Sequence, residues 1–525
     1  MMSRARWLVL VIGGIGVYSL AGWWIRSPGY MDADYYTATA SEMVQGNGLR
    51  ESFLWNYLDD PVGLPHPSHL YWMPLTSFLA AAGMEAFEGG FRGAQFPFIL
   101  LAGALPAVTA VLSLRIVRRP GLAWLAGCLA AFSGFFLPYF VTTDSFIVFA
   151  YTGTAALWLT AESSTRKSVG LWLACGAVVG LCHLARADGV LLLVPALLAA
   201  IKSPGRRIIG LAGLLLGYVG VMGGWWARNL AVTGSVIAPG LGRTLWLTRY
   251  DELFAYPGSL LTPSHFWSNG LGSILGDRLW ALGENLKTLL AVDGSVFLLP
   301  FMLLGAWQMR KHPLVRVAGL YLVLLLLVMS VVFPFAGARG GTFHSTAALM
   351  PLLWTLAPVG LEAAVAWGAQ VRGWRAEQAQ RLFAGTVVFL AATLTVGLYV
   401  PKVIGSRPDL PRWDASRRSY AEAARELALL DGDPGVVAVN NPPGFFLASG
   451  LPSVAIPDGD PNTLHRAVED FGVGWVILDA NHPAGLASLY ANPDSVAWLE
   501  LGASFEDEQG RLIYWLRVVP PSGDG

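Results

Sequence analysis

The chain has 525 residues, 54% of them hydrophobic and 13% charged, with 35 basic against 35 acidic residues and a mean hydropathy of +0.51. Soluble domains carry about 25% charged residues, so this composition excludes an ordinary soluble enzyme and points to a polytopic α-helical membrane protein. Zero net charge offers no basic face for nucleic acid, and no such partner is expected. The three cysteines (Cys128, Cys175, Cys182) fall in apolar runs without metal spacing, and read as small buried hydrophobes.

Arg4 and Arg6 precede an apolar run over 7–25 that lacks a small-residue cleavage site, which predicts an uncleaved first span. Further spans are expected near 96–117, 121–140, 145–161, 168–184, 187–201, 208–226, 293–309, 314–334, 346–368 and 382–400, eleven in all with the first. A twelfth apolar stretch, 70–87, is assigned to a membrane-surface helix. Counted this way, the connections that carry Arg118 and Arg119, Arg166 and Lys167, Lys202, Arg206 and Arg207, Arg310, Lys311 and Arg316, and Arg372, Arg375 and Arg381 all share one side. That side is the cytoplasm, with the N-terminus, because basic connections stay inside.

The outer side then receives the loop 26–95, the Thr142-Thr143-Asp144 turn, Arg186 with Asp188, the loop 227–292, the stretch 339–344 and everything after about 401. The spans at 168–184 and 187–201 are short, so the turn between them is expected below the headgroups. In the loop 227–292, helical spacing over 271–291 predicts a surface helix, and the polar stretch 246–256 is expected to fold over a bound ligand. Residues 1–400 thus form a membrane domain. Residues 401–525 read as an extracytoplasmic α/β domain, with helices over 414–430 and 463–471 and strands at 436–439, 454–456, 475–478 and 512–519. Asp414 is placed as an N-cap.

Directly after the first span comes Gly29-Tyr30-Met31-Asp32-Ala33-Asp34-Tyr35-Tyr36. Asp32 and Asp34, two residues apart, diverge on a helix or a strand. One is expected to act as a base, and the other to cap a helix that starts near Tyr35. His66 and His69 stand in the Pro-rich segment 65–74, where Asp32, Asp34 and His66 are the candidate ligands for a metal. Arg186, Arg228 and Arg339 are candidate phosphate forks, with His66 and His344 beside them. Tyr36, Asp144 and His69 are placed in the cleft.

These segments resemble membrane glycosyltransferases of the GT-C fold, especially the bacterial branch related to protein O-mannosyltransferases and aminoarabinose transferases. Asp32 and Tyr36 match that family's first-loop acid and tyrosine, with Ala33 where the family has Glu. The segment 65–74 matches its Pro-rich segment, with His66 near the place of its usual lysine. Thr143-Asp144-Ser145, Leu184 through Gly189, Trp226-Ala227-Arg228-Asn229, and Arg339 with Pro351 match further recurring segments. The resemblance implies an enzyme of the bacterial inner membrane. It implies transfer of a sugar from a polyprenyl-phosphate donor to an extracytoplasmic protein, lipid or glycan acceptor, with inversion. Asp32 would serve the acceptor and arginines the departing phosphate. The cofactor is either none or a divalent cation. A lipid or glycan transporter, or an inactive assembly subunit of the same fold, is the alternative.

Overall fold

The computed structural model describes residues 2–87, 89–166, 168–203, 207–506 and 510–519. Lys167 and Arg206, counted among the inner basic residues, lie outside them. A helix occurs at each of the eleven expected places. Six are long and apolar enough to cross a membrane by length and composition: Arg4–Trp24, Gly90–Val117, Arg207–Thr233, Pro313–Val332, Pro334–Arg372 and Ala376–Ile404. The bent pair Pro120–Ala131 and Gly134–Phe140 makes a seventh if counted as one span. Ser145–Arg166, Val169–Ala185, Ala187–Ile201 and Leu299–Gln308 fall short of that test.

The short helices are held by close backbone approach, as small residues permit where lipid removes the hydrophobic drive to associate. A Cβ on Gly176 would lie 1.9 Å from the Leu214 carbonyl oxygen, which locks Val169–Ala185 against Arg207–Thr233. A Cβ on Gly360 would lie 1.9 Å from the Phe301 oxygen, and Leu299–Gln308 docks there. The long helix Pro334–Arg372 is broken near its start. Arg339 (φ −98°, ψ 26°) and Gly340 (φ 120°) leave helical geometry. This leaves Arg339 exposed and buries His344.

The outer loop folds around a helix, Met31–Val44, that begins four residues before the expected start. Asp32 and Asp34 both lie in its first turn and neither caps it. Their charges still favour that end of the helix dipole. The surface helix Leu75–Ala86 packs beside it.

The C-terminal segment carries a six-stranded sheet with neighbours Phe53–Leu54, Ser453–Ala455, Val436–Val439, Val473–Leu478, Leu512–Val518 and Leu499–Glu506 in that order. The first four are parallel and the last two pairings antiparallel. Alternation sends Val437, Val439, Trp475 and Ile477 to one core, and Ala438, Val476 and Leu478 to the other. Four strands and both helices fall close to their expected positions. Leu499–Glu506 was not anticipated, nor was Phe53–Leu54, which the outer loop contributes to the sheet edge.

Asp414 occupies the N-cap position of Ala415–Leu430, but its side chain makes no cap bond. It accepts instead from the Arg26 backbone N–H at 3.1 Å and the Ser27 hydroxyl at 2.7 Å, tying this segment to the end of the first span. The stretch 246–256 is packed against its surroundings. Leu247, Leu253 and Ala255 are buried with Phe335, and Arg249 Nη2 meets Asp458 Oδ2 at 2.6 Å. The Asp458 N–H donates to the Phe254 carbonyl at 2.9 Å. Asp414→Ala leaves two donors without their buried acceptor and should cost about 1–3 kcal/mol, read as a lower melting temperature of the detergent-solubilised protein.

Candidate active site

Asp144 is the fixed point of the cleft. Its side chain is fully buried, at 0% exposure. The Tyr30 hydroxyl, the Ser145 N–H and the Ser145 hydroxyl all donate to it. His344 Nε2 stands 3.1 Å from Asp144 Oδ2 and 3.7 Å from Asp32 Oδ2. The side chain of Asp32 is 32% exposed, so of the two acids only Asp32 can meet a reactant. Burial, then the Asp144 charge, raises Asp32 to about 6, while His344 and Arg186 act against the rise.

The imidazole has a defined tautomer. His344 Nδ1 lies 2.9 Å from the Gly340 carbonyl, which only accepts, so Nδ1 carries hydrogen. Nε2 then faces two carboxylates. A bare lone pair there would repel two carboxylates, so either a hydrogen lies between Nε2 and one of them or a metal ion does. One donor atom each from Asp32, Asp144 and His344 lies within 4.8 Å of the others, and they are the one such group among the described residues. An Nδ1–H held by a carbonyl is a common support for a metal-bound histidine. The residues present therefore fit a divalent cation. The expected set of Asp32, Asp34 and His66 is not brought together.

Arg186 adjoins this group. Its Nε donates to Asp188 Oδ1 at 2.9 Å and its Nη1 to the Ser145 hydroxyl at 3.3 Å, and Ser345 donates to the same Asp188. The local pair with Asp188 and a place in the cleft thus coexist. Arg339 lies over the Tyr250 ring at 4.9 Å. It is exposed and makes no hydrogen bond or ion pair among the described residues, so its fork is available to an anion. Tyr36 is buried in the wall, where its hydroxyl feels Asp144, Arg186 and Asp32.

The other expected residues have different roles. Asp34, about 200° around the helix from Asp32, points away and accepts from Asn441 Nδ2 at 2.8 Å. Burial raises it to about 7, against that hydrogen bond. Arg228 donates to the carbonyls of Ser68 (2.7 Å) and Leu49 (3.4 Å) and stacks on Trp225, so it clasps the outer loop. His66 bridges Glu51 (3.2 Å) and Asp59 (2.9 Å). Burial opposes its charge, but those bonds outweigh burial and push it up to about 9. His69 is buried between Ser68 and Ser77, and burial pushes it down to about 3, so it is neutral. Tyr30 and Tyr250 are cleft residues that sequence reasoning missed. Tyr30 lies within the quoted loop segment, but no spacing distinguishes its phenol from its neighbours'.

A family model described as dolichyl-phosphate-mannose-protein mannosyltransferase matches residues 65–223. Comparison with curated proteins gives no match. Two crystal structures of ArnT from Cupriavidus metallidurans superpose over essentially the whole chain. The one bound to undecaprenyl phosphate has a TM-score of 0.53 at 14% identity, covering 100% of both chains. The apo structure has a TM-score of 0.56 at 14% identity, covering 98% of both. The chain shares the ArnT fold. It is thus a polytopic GT-C-type membrane fold with a C-terminal sheet domain. Like those structures it is matched from end to end, so the terminal domain is part of the shared architecture.

Zn²⁺ or Mn²⁺ titrated into chelator-treated protein should bind at one site per chain. His344→Ala should weaken that binding about tenfold or more, in line with the loss of one ligand or its orienting shell. Calorimetric binding that ignores the substitution would leave a hydrogen bond, and no metal ion, between Nε2 and the two acids.

Proposed function

We propose that the protein is an integral-membrane glycosyltransferase that moves a sugar from a polyprenyl-phosphate donor to an extracytoplasmic acceptor, with inversion. The observation that carries this reading is the division of labour in the cleft. One acid, Asp144, is sealed and anchored. A second, Asp32, is held beside it with its carboxylate open to a reactant. An unpaired arginine, Arg339, stands at the rim. The family-model match and the ArnT fold support it, as does the polyprenyl phosphate bound in one of the ArnT structures.

In this mechanism an acceptor hydroxyl approaches Asp32. The carboxylate takes its proton while the oxygen attacks the anomeric carbon, and the carbon–oxygen bond to the lipid phosphate breaks. The departing phosphate gains charge and is met by Arg339, with Arg186 behind it. His344 and Asp144 hold Asp32 in line. A divalent cation, if bound by Asp32, Asp144 and His344, would add positive charge at the reacting groups.

Ala33 bears on the rival reading of an inactive subunit. It is fully buried, and its carbonyl accepts from Thr37 and Thr143. Asp34, the acid that follows it, points elsewhere. Asp144, in a segment that the resemblance already includes, stands as a second acid across His344 from Asp32. This favours an active enzyme.

Asp32→Asn keeps shape and removes basicity, so turnover of a polyprenyl-phosphate-sugar should fall by about 10² or more. Asp34→Asn should have the smaller effect. Arg339→Lys keeps charge but loses the planar fork and should weaken donor use without lowering the melting temperature. Equal turnover for wild type and Asp32→Asn would remove the general-base role. For orientation, a periplasm-dependent reporter fused at the C-terminus should be active, because the basic connections all lie on the opposite side.

A further inference from the structure

The loop helix Met31–Val44 has a second polar face. Asp32 and Tyr36 share the stripe toward His344 and Arg186. Asp34, Thr37 and Ser41, spaced three and four apart, share another stripe on the far side. That far side borders a cavity of about 220 Å³. Its walls come from the loop helix, the stretch Ser27 to Gly29 after the first span, Met84 of the surface helix, Gly90 and Phe91 where the second span begins, and two helices of the terminal domain, with Arg417 on one and Gly444 on the other. The cavity therefore lies where two spans leave the membrane.

Its charges are unusual. Asp34 is 6% exposed. One of its oxygens accepts from Asn441, and no donor meets the other among the described residues. Arg417 lies at the exposed rim and gives one N–H to the Arg26 carbonyl at 3.1 Å. It acts on Asp34 electrostatically, yet the two form no ion pair. An acid at the floor and a guanidinium at the mouth thus face one cavity without closing it. Trp23, at the end of the first span, and the tilted ring pair Phe87 and Phe96 (4.2 Å), on either side of Gly90 and Phe91, are exposed apolar surface.

We propose that this cavity binds the zwitterionic headgroup of a membrane aminophospholipid, of the phosphoethanolamine class. The primary ammonium donates to Asp34 at the floor. The phosphate meets Arg417 at the mouth. The acyl chains lie along the apolar surface outside. The bound lipid is not the sugar acceptor, because Asp32 and Asp34 point to opposite sides of one helix and a headgroup at Asp34 cannot reach Asp32. The site is a co-lipid seat that joins the loop helix to the terminal domain. It depends on the membrane fold and not on the reaction proposed above, so the two readings fail separately.

The experiment is native mass spectrometry of the full-length, delipidated protein supplied with defined lipids at equal concentration. Phosphatidylethanolamine should be retained at one per chain. Phosphatidylcholine, whose quaternary ammonium has no N–H for a carboxylate, and phosphatidylglycerol, which has no cation, should be retained about tenfold less or weaker. Asp34→Asn and Arg417→Gln should each reduce phosphatidylethanolamine retention by a similar factor. Arg417→Gln alters an exposed rim residue and carries the test if Asp34→Asn does not fold. Equal retention of the three lipids, or retention that ignores Arg417→Gln, overturns the proposal. Displacement by water-soluble glycerophosphoethanolamine at the same concentration as the lipid would overturn the lipid as the source.

Discussion

A carboxylate cannot stay charged in a protein interior unless donors surround it. Asp144 meets that condition with Tyr30, Ser145 and His344, each from a different part of the chain. Tyr30 comes from the outer loop just after the first span, Ser145 from the start of its own helix, and His344 from the far side of a broken helix. Satisfying this one group therefore fixes three elements at once, and the placement of Asp32 follows. Asp32 stands beside His344 because Tyr30, two residues earlier, is already bonded to Asp144. The break at Arg339 and Gly340 has its use here. It turns His344 inward and leaves Arg339 facing out.

The outer loop and the terminal segment are built as one layer. Phe53–Leu54 extends the sheet in parallel with Ser453–Ala455. The Tyr57 hydroxyl donates to the Ala455 carbonyl, Asn441 to Asp34, and Asp414 receives from Arg26 and Ser27. These contacts span hundreds of residues of sequence. They mean that the helix bearing Asp32 is held from above by the sheet domain and from below by the spans. Such support on both sides is what the proposed base needs to stay in register with a substrate. The segment 246–256 belongs to the same layer through Arg249 and Asp458.

Asp32 and Asp34 show how little a shared motif says about shared work. Two residues apart on a helix, they enter different environments. One meets a histidine and a second acid. The other meets an amide from the terminal domain and a separate cavity. Burial raises both, yet only one has a route to the cleft.

Much of this was legible in the sequence. The sparse charge and the long apolar runs determined that helices fill a membrane domain, and their places follow from a local, additive property, hydropathy. Alternating apolar residues located four strands of the terminal domain in the same way. Asp32, Asp144, Arg186, Arg339 and His344 were all named as candidates, because charged groups beside apolar runs are costly and therefore conspicuous. Their grouping was not legible. Nothing local distinguishes His344, which joins Asp32, from His66, which is tied up by Glu51 and Asp59, or Arg339, whose fork is open, from Arg228, which clasps a loop. Nor could the edge strand Phe53–Leu54 be foreseen, since two residues have no periodicity and only the sheet edge calls them into a strand. The sequence determined which groups could bear charge near the membrane. Tertiary structure alone decided which of them face each other, because hydrogen bonds and ion pairs depend on distances set by segments far apart in the chain.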